Sequence, residues 1–320
     1  MKPKLYITYK IPEKPLGLLE GKFDISINPS DKYHSKAELC EKVRGMDALI
    51  CTLAETIDKE VIDCMDKAKV IANYAVGYNN IDFAYAAQKG IMVTNTPGVL
   101  TNATADLAWA LLFAVARRIV DSDRFTREGK FKGWIPTLFL GQEITGKTLG
   151  IIGAGKIGAN FAKKASGFNM RILYNNRNRN LEFEKEANAS FVDKDTLLKE
   201  SDFISLHAPL TPETRHMIGM PEFKKMKRTA VLINTSRGPV VDEEALVTAL
   251  KEGLIWGAGL DVYENEPQIE PELFKFENVV MAPHIGSATE ETREKMAEMA
   301  IKNVLAAING QKPPNCVNMK

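Results

Sequence analysis

The ten residues Leu149-Gly150-Ile151-Ile152-Gly153-Ala154-Gly155-Lys156-Ile157-Gly158 constrain this chain more than any other stretch. An apolar run ends in G-x-G-x-x-G, and a helical pattern, Ala159–Ser166, opens directly behind it. Glycine-rich turns are common, but this one has the strand–turn–helix context that a phosphate-binding turn requires. Gly153 permits a tight turn, Gly155 lets backbone approach a pyrophosphate, and Gly158 lets the helix pack closely on the strand. The positive end of the helix would face the phosphates. Gly153, Ala154, Gly155, Lys156, Ile157 and Gly158 therefore form a candidate dinucleotide site.

The surrounding pattern supports such a fold. Thr148–Ile152, Arg171–Tyr174, Phe203–His207, Ala230–Asn234, Gly257–Asp261 and Val279–Ala282 read as six strands with helices between them, enough for a dinucleotide-binding sheet. Upstream, Lys4–Thr8, Ala48–Thr52, Val70–Asn73 and Met92–Thr94 alternate with helix-like segments at Ser35–Arg44 and Asp58–Lys67. Asn95-Thr96-Pro97-Gly98 breaks this rhythm. Asn102–Glu128 then reads as one long helix whose middle is apolar nearly all round, to be buried in a core or against a second copy of the chain. The expected architecture is α/β with two domains. One is residues 1–97 plus 288–320, with the last helix, Thr289–Asn309, returning to it. The other, 98–287, carries the dinucleotide sheet.

Composition narrows the function classes. Across 320 residues, 42 Lys and Arg stand against 41 Asp and Glu, a net charge of +1, so no basic excess points to nucleic acid or a membrane surface. The longest apolar run, Leu107–Ala116, is too short to span a bilayer, and no signal peptide is read. Cys40, Cys51, Cys64 and Cys316 show no metal-ligand spacing, so no metal and a reducing cytoplasm are expected. H-E-x-x-H, G-x-S-x-G and Walker motifs are all missing.

Cofactor choice is read at the end of the second strand of the glycine-motif unit. An acidic residue there would bind a ribose 2′-hydroxyl. This chain has Asn176, eighteen residues after Gly158, followed by Arg177 and Arg179. Asn removes the repulsion that an acid would exert on a 2′-phosphate, and the arginines bring charge and planar donors. NADP(H) is expected, and NAD(H) stays open.

Three later strand ends carry Asn234-Thr235-Ser236-Arg237-Gly238, Gly259–Pro267 and Ala282–Thr289. The carboxyl ends of parallel strands share one edge of a sheet, so Arg237, Glu266 and His284 are placed to converge. His284, with an unperturbed pKa near ~6.5, suits proton transfer. Glu266 would orient it and stabilise its charged form. Arg237 would grip a carboxylate and polarise a carbonyl. His207 ends a strand ahead of Pro209, whereas His34 and His216 fall in polar segments and read as solvated.

These motifs, with Val76-Gly77-Tyr78-Asn79-Asn80-Ile81-Asp82, Asn95-Thr96-Pro97 and His207-Ala208-Pro209-Leu210-Thr211, resemble the D-isomer-specific 2-hydroxyacid dehydrogenases over nearly the whole length. The resemblance implies a Rossmann-type doubly wound sheet, a smaller flavodoxin-like substrate domain and an active site in the cleft. It implies that Arg237, Glu266 and His284 are catalytic, with Val76 and Gly77 backbone holding the substrate carboxylate. Thr235, Ser236 and Asp261 would line the nicotinamide side, with Pro209 and Gly286 also on the cofactor, and the enzyme would be a homodimer through the long-helix region. Gly133–Gly141 and Pro283–Thr289 are most similar to glyoxylate/hydroxypyruvate reductases. Phosphoglycerate dehydrogenase, another 2-keto acid reductase such as a 2-ketogluconate reductase, and a dinucleotide-sensing corepressor-like scaffold are the alternatives.

Overall fold

Short apolar runs separated by amphipathic segments build two separate parallel sheets in the computed structural model, which describes residues 1–319. The chain divides into two units, Met1–Leu100 with the stretch from Ser287 onward, and Thr101–Gly286.

In the first unit, β1 (Lys4–Ile7), β2 (Asp24–Ile27), β3 (Ala48–Cys51), β4 (Val70–Asn73) and β5 (Met92–Thr94) pair in the order β2-β1-β3-β4-β5, all parallel. This is the flavodoxin-like order. The sequence does not announce β2: Asp-Ile-Ser-Ile is short, polar at alternate positions and exposed at a sheet edge. Helices α1 (Lys36–Val43), α2 (Lys59–Asp63) and α3 (Phe83–Gln88) bury Leu39, Val43, Val61, Ile62 and Ala86 with one face of the sheet. The C-terminal helix, Glu290–Ile308, packs on β3, β4 and β5.

The second unit opens with a departure from the expected single helix. Instead of one helix over Asn102–Glu128 there are two, α4 (Thr101–Ala116) and α5 (Ile119–Arg127), broken where Arg118 takes a left-handed φ of 54°. The cause is tertiary. Gln142 N–H takes the Ala116 carbonyl at 2.7 Å, the acceptor that a continuing helix would give to Val120. Arg118 then turns aside to pair with Asp121 and lies over the Phe139 ring.

Seven parallel strands follow, one more than expected: β6 (Thr148–Ile152), β7 (Arg171–Asn175), β8 (Ala189–Phe191), β9 (Phe203–Leu206), β10 (Val231–Asn234), β11 (Gly257–Leu260) and β12 (Val279–Met281). Their order is β12-β11-β10-β9-β6-β7-β8, so it reverses between β6 and β9. The extra strand, β8, is a three-residue edge strand with two exposed side chains, too short to stand out as a run. Both faces are covered. Ile151, Ile172, Phe203 and Val231 pack with α4 and α6 (Lys156–Lys164). Their neighbours Ile152, Leu173, Ile204 and Leu232 pack on the other face, with α8 (Lys194–Glu200), α9 (Met220–Phe223) and α10 (Glu243–Lys251). The remaining helix, α7 (Leu181–Ala187), precedes β8. Burial on two faces explains why these strands read as continuous apolar runs rather than alternating ones.

Glycines let α4 approach the sheet. A Cβ at Gly259 would lie 3.0 Å from Leu111 Cβ, and one at Gly257 would lie 2.3 Å from the Asn278 carbonyl oxygen. Backbone cannot retreat as a side chain can, so Gly257→Ala should lower unfolding free energy by about 1–3 kcal/mol. Urea denaturation would measure this; an unchanged midpoint would contradict the packing.

Candidate active site

At the end of β6 the chain turns at Gly153, with a φ of 97°. A Cβ there would fall 2.5 Å from Ala208 N beyond β9, so glycine is required twice over. Helix α6 begins at Lys156, earlier than the sequence pattern suggests, because the glycine motif itself forms its first turn. A Cβ on Gly155, its N-cap, would meet nothing within 4 Å. The N–H groups of Gly155, Lys156 and Ile157 donate to no group among the described residues. An open cradle ringed by unpaired donors at a helix N-terminus fits a pyrophosphate. The Thr235 hydroxyl beyond β10, buried and without a partner among the described residues, also fits a ligand contact.

Asn176 follows β7, and its Oδ1 accepts from Ala154 N at 2.7 Å. It therefore shapes the glycine loop and keeps Nδ2 to spare. Arg177 is exposed and makes no ion pair among the described residues; Glu213, whose carboxyl is lowered mainly by the Thr211 hydroxyl, also feels its charge. Arg179 departs from the cofactor role expected of it. Its Nε and Nη2 each lie 2.7 Å from an oxygen of Glu184, whose carboxyl is held down to about 2, first by Arg179 and then by Tyr174. That fork is already filled.

Asn234, a residue the sequence did not single out, ends β10 and organises the next turn. Its Oδ1 accepts from the Ser236 N–H and hydroxyl, and its Nδ2 donates to the Arg237 carbonyl at 3.0 Å. Ser236 thus faces inward on this turn. Gly238 then passes so close to the chain beyond β11 that a Cβ would sit 1.8 Å from Tyr263 carbonyl atoms. This brings Arg237 into the field of Glu266. Burial lowers the pKa of the guanidinium, and Glu266 partly restores it.

Glu266 accepts from Tyr263 N at 3.0 Å through Oε1 and meets His284 Nδ1 at 2.8 Å through Oε2. Burial works against charge on this carboxyl, but His284, the Tyr263 N–H and Arg237 together hold it below its ordinary value. His284 Nε2 has no partner among the described residues. Its backbone has a left-handed φ of 54°, an unusual conformation for a bulky side chain. Asp261 sustains it. The side chain is 1% exposed, and its two oxygens accept from Ile285 N at 2.7 Å and Gly286 N at 2.8 Å. Burial pushes this carboxyl up to about 6, against the pull of those N–H groups and His284. Asp261 and Gly286 thus lie behind the histidine, in a brace rather than on an open wall. Tyr263 adds a second brace, its hydroxyl donating to the Ala282 carbonyl at 2.9 Å.

Pro209 is exposed beyond β9, with its carbonyl accepting from Thr214 Oγ1. His207 contacts Ser205 Oγ at 2.9 Å and packs on Phe161, and burial pushes its pKa down to about 3. The other histidines are not simply solvated. His34 meets Tyr6 Oη, and His216 meets Glu264 Oε1, each at 2.5 Å. In the first unit, Val76 and Gly77 follow β4, and their N–H groups donate to nothing among the described residues.

The profile of the D-isomer specific 2-hydroxyacid dehydrogenase NAD binding domain matches residues 109–286. A glyoxylate reductase of Thermococcus litoralis is 57% identical, the alignment covering 99% of this chain and 97% of that one. A crystal structure from Thermus thermophilus superposes with a TM-score of 0.93 at 45% identity, covering 98% and 99% of the two chains. An NADPH-dependent glyoxylate/hydroxypyruvate reductase of Sinorhizobium meliloti, in complex with NADP and malonate, gives a TM-score of 0.88 at 29% identity, covering 99% and 97%.

The two loop glycines should separate in a test. Gly158→Ala puts a Cβ 2.3 Å from the Gly153 carbonyl oxygen and should lower the melting temperature. Gly155→Ala should leave melting unchanged yet weaken dinucleotide binding about tenfold, a loss of about 1.4 kcal/mol readable by calorimetry. Full affinity in a folded Gly155→Ala protein would refute the cradle.

Proposed function

The chain belongs to the D-isomer-specific 2-hydroxyacid dehydrogenase family, and on that premise we propose that it reduces glyoxylate or hydroxypyruvate to the D-2-hydroxy acid with NADPH. The observation that carries the reading is the His284–Glu266 contact, with Nδ1 engaged and Nε2 unpartnered.

The bound reduced dinucleotide supplies the hydride for C2 of the substrate. His284 gives a proton from Nε2 to the carbonyl oxygen. Glu266 fixes the ring through Nδ1 at 2.8 Å, which leaves Nε2 turned to the substrate side. Arg237 holds the substrate carboxylate and draws electron density from the carbonyl. The unpaired N–H groups of Val76 and Gly77 suit a carboxylate, the role assigned to them. Gly153–Gly158 would hold the pyrophosphate, the unpartnered Thr235 hydroxyl would lie toward the nicotinamide with Ser236 bonded back to Asn234 beside it, and Pro209 would shape the adjoining loop. Asp261 and Gly286 act from behind His284.

NADPH rather than NADH follows from Asn176 and Arg177. No carboxylate stands at the strand end to repel a 2′-phosphate, and Arg177 is a cation without an ion-pair partner among the described residues. The Sinorhizobium meliloti relative, described as NADPH-dependent, agrees with this choice. A homodimer is the proposed assembly. Ile119, Val120, Phe131, Trp134, Ile135 and Leu140 are all exposed, with Trp134 at 85%, and an apolar set of this size on one segment suits a partner chain.

In a spectrophotometric panel of NADPH and NADH against glyoxylate, hydroxypyruvate, pyruvate, 2-ketogluconate and phosphohydroxypyruvate, the first two acids should turn over best with NADPH. Arg177→Ala should raise KM for NADPH about tenfold and leave NADH unaffected. Turnover of no 2-keto acid would reject the reading, and would leave a dinucleotide-sensing scaffold as its replacement. Glu266→Gln removes the carboxylate that His284, the Tyr263 N–H and Arg237 hold in its charged form against burial, so the pH profile of reduction should change. Single-turnover rates from about pH 5 to 9 would show it; an unmoved profile would take Glu266 out of the pairing.

A further inference from the structure

The loop beyond β4 is held by side-chain amides, one carbonyl at a time. Thr96 N–H takes the Ala75 carbonyl at 2.7 Å. Asn95 Nδ2 takes the Val76 carbonyl at 2.8 Å, and Asn73 Nδ2 takes the Gly77 carbonyl at 2.7 Å. Each trans peptide is planar, so its C=O and its N–H point in opposite directions. Anchoring the Ala75, Val76 and Gly77 carbonyls therefore turns the N–H groups of Val76, Gly77 and Tyr78 the other way. None of these three N–H groups has an acceptor among the described residues.

The anchors are themselves rigid. Asn73 is fully buried and Asn95 nearly so. The Asn73 amide also donates to Asn80 Oδ1 at 3.1 Å, and its Oδ1 receives the Cys51 thiol. Asn80 passes the constraint on, with Nδ2 donating to the carbonyls of Thr52 and Glu55, each at 3.0 Å. The fully buried Asn303, on the C-terminal helix, holds the Asn95 carbonyl at 3.2 Å. A buried amide that only filled space would cost stability against an apolar residue of the same shape. Here each amide has a direction to impose.

We propose that Asn95 and Asn73 are positioning residues for substrate binding: by anchoring the Val76 and Gly77 carbonyls they aim the N–H groups of Gly77 and, next to it, Tyr78 at the carboxylate of a 2-keto acid, and Asn80 locks the Thr52–Glu55 loop to the same frame. This rests on the carboxylate role given above to the loop of Val76 and Gly77, through the Gly77 N–H. The asparagines touch no substrate. They remove the need to reorganise the loop when an anion arrives, which strengthens binding without altering the proton or hydride donor.

Asn95→Asp keeps the shape but replaces the donor with a group that repels the Val76 carbonyl. It should raise KM for glyoxylate and the inhibition constant of oxamate, an unreactive isostere of a 2-keto acid, together by about tenfold. Turnover at saturation and the dissociation constant of NADPH should change by less than about twofold. Asn80→Ser, at a half-buried position, serves as second variant, with a smaller shift of the same kind expected. In the wild type, selective ¹⁵N-glycine labelling should show the Gly77 amide resonance moving as oxamate is added. Variants that lose only melting temperature while KM and oxamate affinity stay put would overturn the positioning role. A Gly77 resonance indifferent to oxamate would do the same, even if neither variant folds. A wild type that neither reduces 2-keto acids nor binds oxamate would instead fail the underlying functional reading.

Discussion

The Asp261 carboxylate is the small contact on which the second unit's chemistry rests. It sits at the end of β11 almost out of reach of water, and its two oxygens receive the N–H groups of Ile285 and Gly286. Those bonds offset the left-handed backbone at His284. Without them the imidazole would have no reason to stand where Glu266 can reach it. Desolvation disfavours charge on Asp261, and two N–H donors favour it; the outcome is a carboxyl that titrates high for its kind while still accepting both bonds.

Close backbone approach is the second theme. Gly153 against Ala208, Gly238 against Tyr263 and Gly257 against Asn278 are places where neighbouring loops or strands touch with no room for a Cβ. The first two bring the carboxyl end of one parallel strand against the next, whereas Gly257 and Asn278 meet at the opposite edge, where β11 and β12 begin. Side chains from β6, β10, β11 and β12 can then share one edge of the sheet, where an α/β fold gathers its functional groups. Gly155, in the same loop as Gly153, differs from these three, since no protein atom lies within 4 Å of where its Cβ would be.

Much of this was readable from residue order alone. The parallel strands were visible as apolar runs because both faces of the larger sheet are buried, and the glycine turn because it requires special backbone. The catalytic candidates were visible because polar residues at strand ends break those runs. What escaped depended on partners distant in sequence. β2 and β8 are short edge strands whose identity comes from the neighbour they pair with. The break at Arg118 comes from Gly141 and Gln142 occupying the Ala116 carbonyl, which no local propensity records. Arg179 carried the same signal as Arg177, yet only Arg179 has Glu184 beside it. Asn73, Asn95 and Asn303 read as ordinary polar residues until their carbonyl partners are known.

The histidine beyond β9 has its own consequence. Held neutral by burial, His207 stays uncharged throughout the range in which most enzymes work. It lies against the glycine turn, its Cβ 3.2 Å from where a Cβ on Gly158 would sit, so no charged imidazole stands beside that turn. The turn therefore has an aromatic wall on this side, formed by His207 and the Phe161 ring it packs on, rather than a titrating cation.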